Sequence, residues 1–216
     1  MDGYLADLAP ICELADDFDA LVMVDDCHAT GLIGRDGRGT PSHFGVTDRV
    51  DIVTSTLGKA LGGAMGGFVA ARQPVVDLLR QRGRPYLFSN ALSPAHVGGA
   101  REAIRIARTS DERRTRLMGH AARFRTAMND AGFTLTGADH PIIPVMFGDA
   151  KIAVAMADRL MEMGVYVTPF SYPVVPHGQA RIRTQMSAAL TDAQLDTAIG
   201  AFVQAPDGLG VDPSGR

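Results

Sequence analysis

The stretch VDIVTSTLGKALGGAMGGFVAA, residues 50–71, decides the fold. An apolar run ends in three hydroxyl residues, Thr54, Ser55 and Thr56. A small glycine-flanked turn carrying Lys59 follows, and GGFVAA then opens another apolar run. Short apolar runs bounded by glycine read as buried strands. The lysine is the unexpected part. The chain has 21 Lys+Arg, and of these only Lys59 and Lys151 are lysines. A sequence that otherwise uses arginine for positive charge has placed a lysine in a tight turn after a strand, and that placement asks for a chemical reason.

Working outward, ALVMVDD upstream reads as a buried strand whose C-terminal end carries Asp25 and Asp26. The segment before it, LADLAPICELADDF, sets Leu5, Leu8, Cys12 and Ala15 at helical spacing. Downstream, PVVDLLRQR starts a helix at Pro74, a favoured first-turn residue. Helices alternating with apolar strands predict an α/β layer with mostly parallel strands. From Pro94 to about Met128 the pattern is helical, with a break near Ser110. GFTLTG, IIPVMFG, VYVTPF and ARIRTQMS then read as strands, with helices at 150–163 and 191–203, which predicts a smaller α+β domain. The expected division is a large domain over 1–105, a small α+β domain over 106–204, and a disordered tail over 205–216. Met156, Met161 and Met163 lie on a helical pattern as core filler. The arginine-rich stretch from Arg101 to Arg125 reads as a solvated helical face. A three-stranded parallel sheet entered directly by a helix would have raw edges, so the expectation is that further sequence precedes this chain.

Composition excludes several classes. The chain has 216 residues, 46% of them apolar, and a net charge of −3. A buried core is possible, while a nucleic-acid surface or polybasic membrane patch is not indicated. No apolar run reaches the ~18 residues that span a bilayer, and MDGYLADLAP lacks the features of a signal peptide. Cys12 and Cys27 have no CxxC spacing, so no disulfide framework or metal site is expected and a reducing, cytoplasmic location is.

In α/β sheets, ligands bind outside the carboxyl ends of the strands. Here those ends deliver Asp25, Asp26 and His28 from VDDCHATG, and Thr54, Ser55, Thr56 and Lys59 from TSTLGKALGG. The spacing matches neither a nucleotide P-loop nor GxGxxG, and there is no GxSxG elbow. Pyridoxal phosphate would use this set well. It needs a lysine for a Schiff base, an acid beside the pyridine nitrogen, and hydroxyls and backbone N–H groups for its phosphate. Lys59 could supply the first, Asp25 the second, and Thr56 with the glycine-rich turn the third. A desolvated lysine would favour the neutral amine needed for attack. Each residue alone also has a plainer reading: aspartates cap turns, a single histidine is commonly structural, and Lys59 could be a solvated loop residue. Arg181 and Arg183 alternate on a strand. One could grip a substrate carboxylate, or both could form a surface pair.

Taken together, VMVDDCHATGLIG, the 50–71 stretch, RPYLFSNALSP and YPVVPHGQARIRTQMSAALT resemble the α-oxoamine synthases, fold-type I pyridoxal-phosphate enzymes that join an amino acid to an acyl-CoA. The resemblance runs from Met1 to about Val203. GQARIRTQMSA and RQRGRPYLFSN resemble the branch that acetylates glycine from acetyl-CoA. It implies that Asp25 pairs with the pyridine nitrogen, that His28 contacts the phenolic oxygen, that Lys59 forms the Schiff base and moves the glycine α-proton, and that Thr56 binds phosphate. It further implies that Ser89 and Asn90 lie near the phosphate of a neighbouring subunit's cofactor, that Arg183 holds the substrate carboxylate, and that the enzyme is a homodimer. Family members carry a long segment before the position of Met1, so the chain resembles a partial one. Two departures stand out: Cys27, where serine or alanine is common, and His177, where lysine is common.

Overall fold

The computed structural model describes residues 2–62 and 65–209. The chain forms two compact units, one of residues 5–111 and one of residues 112 onward together with the first four. The division thus falls in the first turn of a long helix, a few residues beyond the expected 105/106 boundary.

In the first unit, helix α1 (Leu8–Asp17) buries Leu8, Cys12 and Ala15. These positions share one helical face and pack on Val22, Val24 and Val46. Strand β1 (Met23–Asp25) follows, then the short helix α2 (Thr40–His43) and strand β2 (Ile52–Thr56). β1 and β2 are parallel, with Met23 opposite Ile52 and Asp25 opposite Thr54. Asp51 fixes their alignment. Its carboxylate accepts the Val22 N–H at 3.0 Å and pairs with Arg72, while its own N–H donates to the Val22 carbonyl at 2.9 Å.

Strand β3 (Gly67–Ala71) pairs antiparallel to β2, from Ile52 opposite Ala71 to Thr56 opposite Gly67. The expected mostly parallel sheet is therefore mixed among the described strands. The reason is the length of the connection. Residues 57–66 are fewer than the dozen or so that a parallel crossover requires, so the chain reverses. Helix α3 (Gln73–Arg82) opens with Pro74 in its first turn. It is followed by α4 (Arg84–Phe88) and by α5 (Pro94–Ala107), whose first turn is capped by the Ser93 side chain. Ala100 of α5 packs on Leu57 and Leu61 of the lysine-bearing turn.

In the second unit, α6 (Asp111–Asp130) precedes β4 (Thr134–Leu135), β5 (Ile142–Gly148), α7 (Ala150–Glu162), β6 (Pro169–Phe170), β7 (Ala180–Gln185) and α8 (Asp192–Gln204). The strands form an antiparallel sheet in the order β4-β5-β7-β6. Asp149 caps α7 through the N–H groups of Lys151 and Ile152. Thr191 and Gln194 form a reciprocal capping box at the start of α8. Of VYVTPF, only Pro169 and Phe170 are in a strand.

The core joins Phe124, Met128, Phe133, Phe147, Met156 and Phe202. Edge-to-face contacts run from Phe124 to Phe202 at 5.5 Å and from Phe133 to Phe147 at 6.2 Å. Met156 is buried and Met163 packs against the core, but Met161 is exposed. Most of the arginines of α5 and α6 face solvent, and Arg123 pairs with Asp192 and Asp196 of α8. Residues 205–208 of the expected tail form a 3-10 turn with Ala205 and Pro206 buried; positions 210–216 lie outside the described residues. Residues 2–4 lie along this unit. Ala138 donates to the Gly3 carbonyl at 2.8 Å, and Asp2 pairs with Arg181 at 3.4 Å. Among the described residues, no helix is long and apolar enough to cross a membrane.

Phe202 is fully buried and central to this aromatic cluster. Replacing it with alanine removes its contacts and leaves a cavity, so Phe202→Ala should lose about 3–5 kcal/mol, measured as a lower midpoint in urea denaturation.

Candidate active site

Parallel pairing brings the carboxyl ends of β1 and β2 side by side, and each carries part of the expected set. Asp25 closes β1 with an exposed side chain. Its carboxylate accepts the Cys27 N–H at 3.0 Å. Hydrogen bonding from the Cys27 thiol and N–H holds the carboxyl below its ordinary 3.8, helped by the nearby charges of Lys59 and His28. Asp25 is therefore ionised at neutral pH and protonates only on the acid side of that value. The Cys27 thiol is pushed up, by burial first and then by Asp25.

Asp26, its neighbour, plays a different part. It is buried at 2% exposure. One carboxylate oxygen accepts the Thr40 N–H at 2.9 Å, and the other accepts the Thr30 hydroxyl at 2.8 Å. The Ser55 hydroxyl donates in turn to the Thr30 oxygen at 2.8 Å. Gly39 packs so closely that a Cβ there would lie 1.8 Å from the Asp26 carboxylate, and its φ is +90°. Only glycine fits. The two aspartates that looked equivalent in sequence thus separate into one open carboxylate and one buried tie.

Lys59 sits in the turn after β2. Leu57 and Leu61 on either side of it are buried under α5, and the lysine between them is exposed. The desolvated amine expected from sequence is not what the described residues provide; the side chain is open to a ligand. Gly62 N–H closes the turn on the Lys59 carbonyl at 2.9 Å. Gly63 and Ala64, in the glycine-rich part, lie outside the described residues. The Thr56 hydroxyl donates to the Gly66 carbonyl at 3.2 Å and accepts the Gly58 N–H at 3.2 Å, so its proton is already engaged. His28 is half-buried in the turn after Asp26. Ser89 and Asn90 are exposed on the segment between α4 and α5.

Arg183 belongs to the second unit. Its guanidinium lies over the Phe170 ring, 4.8 Å from the centroid. Its Nε is buried and has no hydrogen-bond partner among the described residues. It borders a cavity of about 530 Å³ lined also by Val165, Val167, Phe170, Gln194 and Phe202. Arg181, two residues earlier, is buried and satisfied, donating to the Gln179 carbonyl at 3.0 Å and side chain at 3.1 Å. The arginines are not an equivalent surface pair. His177 stacks on Tyr172 at 3.9 Å.

Sequence reasoning missed Thr30 and Gly39 altogether and gave Ser55 no distinct role. The available signal was weak: Thr30 lies one helical turn after Asp26, the spacing at which a hydroxyl can reach back to a carboxylate. Among the described residues, no group of three or more His, Cys, Asp or Glu could hold a metal ion.

Known proteins share this arrangement. The model of the family described as "Aminotransferase class I and II" matches residues 1–202. The chain is 56% identical to 2-amino-3-ketobutyrate coenzyme A ligase of Escherichia coli (strain K12), over 98% of this chain and 53% of that protein. It is 44% identical to 8-amino-7-oxononanoate synthase of Thermosipho melanesiensis, over 98% of this chain and 54% of that one. A solved serine palmitoyltransferase with PLP superposes with a TM-score of 0.93 at 33% identity, covering 97% of this chain and 53% of that structure. The chain spans about half the length of the curated relatives it matches. A family model covering nearly all the described residues, on a fold with an open aspartate and an exposed lysine at adjacent strand ends, shows that the chain belongs to the class I and II aminotransferase family.

Proposed function

We propose that this chain carries part of a pyridoxal-phosphate-dependent acyltransferase that moves the acetyl group of acetyl-CoA onto glycine, giving 2-amino-3-oxobutyrate and CoA. The carrying observation is the meeting of Asp25, His28 and Lys59 at the ends of two paired strands. Identity to the coenzyme A ligase at 56%, against 44% to the oxononanoate synthase, supports this acyl and amino-acid pair over others in the same family.

The residues fit the cofactor on their own chemistry. An ionised carboxylate suits a protonated ring nitrogen, an exposed amine suits covalent attachment, and a buried guanidinium N–H lacking a partner suits an added carboxylate. When bound, pyridoxal phosphate supplies an electron sink that makes the glycine α-proton removable. Asp25 holds the ring nitrogen's proton. Lys59 is the attachment residue, and its amine takes the α-proton. His28 contacts the phenolic oxygen. Thr56 serves the phosphate, for which its hydroxyl must release Gly66. Ser89 and Asn90 reach a neighbouring subunit's site in a homodimer, and Arg183 holds the glycine carboxylate. The glycine α-carbon then bonds to the thioester carbonyl carbon, the C–S bond breaks, and CoA leaves. The two free cysteines fit a reducing compartment, and the cytoplasm is our reading.

One observation favours a second reading, in which the chain is inactive without additional polypeptide. The first unit exposes Phe18, Met23, Leu78 and Phe88, with Phe88 80% accessible. So much apolar surface at strand and helix faces marks sites that another chain segment covers.

Titration with pyridoxal phosphate, borohydride reduction and peptide mass mapping separate these readings. A covalent adduct on Lys59, with CoA release from glycine and acetyl-CoA exceeding that with longer acyl-CoAs, is the expected result. A folded chain without an adduct would support the second reading. Lys59→Ala should lose the adduct and at least about 100-fold in turnover with an unchanged circular-dichroism spectrum, since the side chain packs against nothing. Arg183→Lys loses the planar guanidinium and should raise the KM for glycine about tenfold or more, with a smaller change in kcat.

A further inference from the structure

The hydroxyl chain beneath the site has a role that extends beyond holding a turn together. Asp26 begins that turn, and the N–H groups of Ala29 and Thr30 both donate to its carbonyl, at 3.0 and 2.9 Å. Asp26 N–H donates outward to the Thr54 carbonyl of β2 at 2.8 Å. Thr30 closes the other end: its hydroxyl reaches the Asp26 carboxylate, and it receives the Ser55 hydroxyl from β2. Cys27 and His28 are the residues enclosed between these two ties. The turn that presents His28, and that directs the Cys27 N–H to Asp25, is thus bolted to β2 at both ends. Ser55 immediately precedes Thr56 and lies one helical turn's length of chain before Lys59.

We infer that Thr30 is a positioning residue, whose hydroxyl locks the 26–30 turn to Ser55 and so sets His28 and Asp25 against Lys59. The inference rests on the proposed cofactor site for its consequence, but the lock itself can be read without cofactor. Thr30 touches none of the reacting groups; it acts through the turn. Its hydroxyl proton can serve one acceptor at a time, the Asp26 carboxylate at 2.8 Å or the Asp26 carbonyl at 3.1 Å. The shorter contact, to a carboxylate, is the stronger. With Ser55 donating into the same oxygen, the three side chains form a directed chain in which each buried group is satisfied.

The test compares wild type, Thr30→Val and Thr30→Ser. Valine matches threonine in shape and removes the hydroxyl, while serine keeps it. Without cofactor, iodoacetamide labelling of Cys27 reads the turn directly, and Cys12, fully buried, reports global opening in the same sample. Thr30→Val should label Cys27 about three- to tenfold faster, the range expected for losing one or two hydrogen bonds, with Cys12 unchanged. Thr30→Ser should label like wild type. With pyridoxal phosphate, Thr30→Val should lose affinity by a similar factor and Thr30→Ser should recover it. Equal Cys27 labelling in wild type and Thr30→Val would overturn the inference. So would a Cys12 rate that rises in step, because the hydroxyl would then be supporting the whole unit and not the turn. If wild type binds no cofactor while the labelling pattern holds, the proposed function fails and the lock stands.

Discussion

Parallel pairing of β1 with β2 is the constraint on which the rest of the first unit depends. Asp25 can stand beside the turn of Lys59 only if Asp25 and Thr54 occupy facing register positions. A slip of one residue would turn every side chain of β1 to the opposite face, sending Asp25 inward and Val24 out. β1 is three residues long, too short to hold register by its ladder alone. The register is held instead at both ends, by Asp51 gripping Val22 at the start and by Asp26 tied to Thr54 and, through Thr30, to Ser55 at the finish. Polar side chains do here what longer strands do elsewhere with hydrophobic pattern.

The same economy shapes the lysine turn. Leu57 and Leu61 bury themselves against Ala100, and the residue midway between two anchored leucines is turned out. A glycine-rich, arginine-preferring sequence with a lone lysine in that place acquires its exposed amine from packing on either side, without any charged partner inside the turn. The second unit is organised differently. It has one aromatic and aliphatic core around an antiparallel sheet, and its contribution to the candidate chemistry is a single guanidinium left short of a partner over an aromatic ring.

Much of this was legible in the sequence, for reasons that differ by element. The helices α1, α3, α7 and α8 follow from apolar periodicity and from their first-turn residues. The break between α5 and α6 falls at Thr109 and Ser110, where helix formers give way to hydroxyls. The α/β character was legible too, as were the residues at the ends of β1 and β2. The direction of β3 was not, because strand composition does not reveal whether the chain crosses over or turns back; the short 57–66 connection carried that information. Residues 166–168 look like a strand by β-propensity, yet only Pro169 and Phe170 pair, since pairing depends on a partner that composition cannot specify. The difference between Asp25 and Asp26 was hidden for a similar reason. Adjacent residues on a strand face opposite sides, and which side is buried depends on Gly39 and Thr40, more than a dozen residues along the chain.

The placement of residues 2–4 has a consequence for how the molecule can be taken apart. They belong to the second unit, stitched to it through Gly3 and Asp2, while the residues that follow them build the first unit. A gene fragment beginning at the long helix would encode the second unit without its strap, leaving Arg181 without its carboxylate and Ala138 without its acceptor. A fragment ending at that helix would carry the strap with nothing to lie along. Neither unit can be excised as one uninterrupted reading frame, and dissection by expression would have to splice the first four codons onto the second unit.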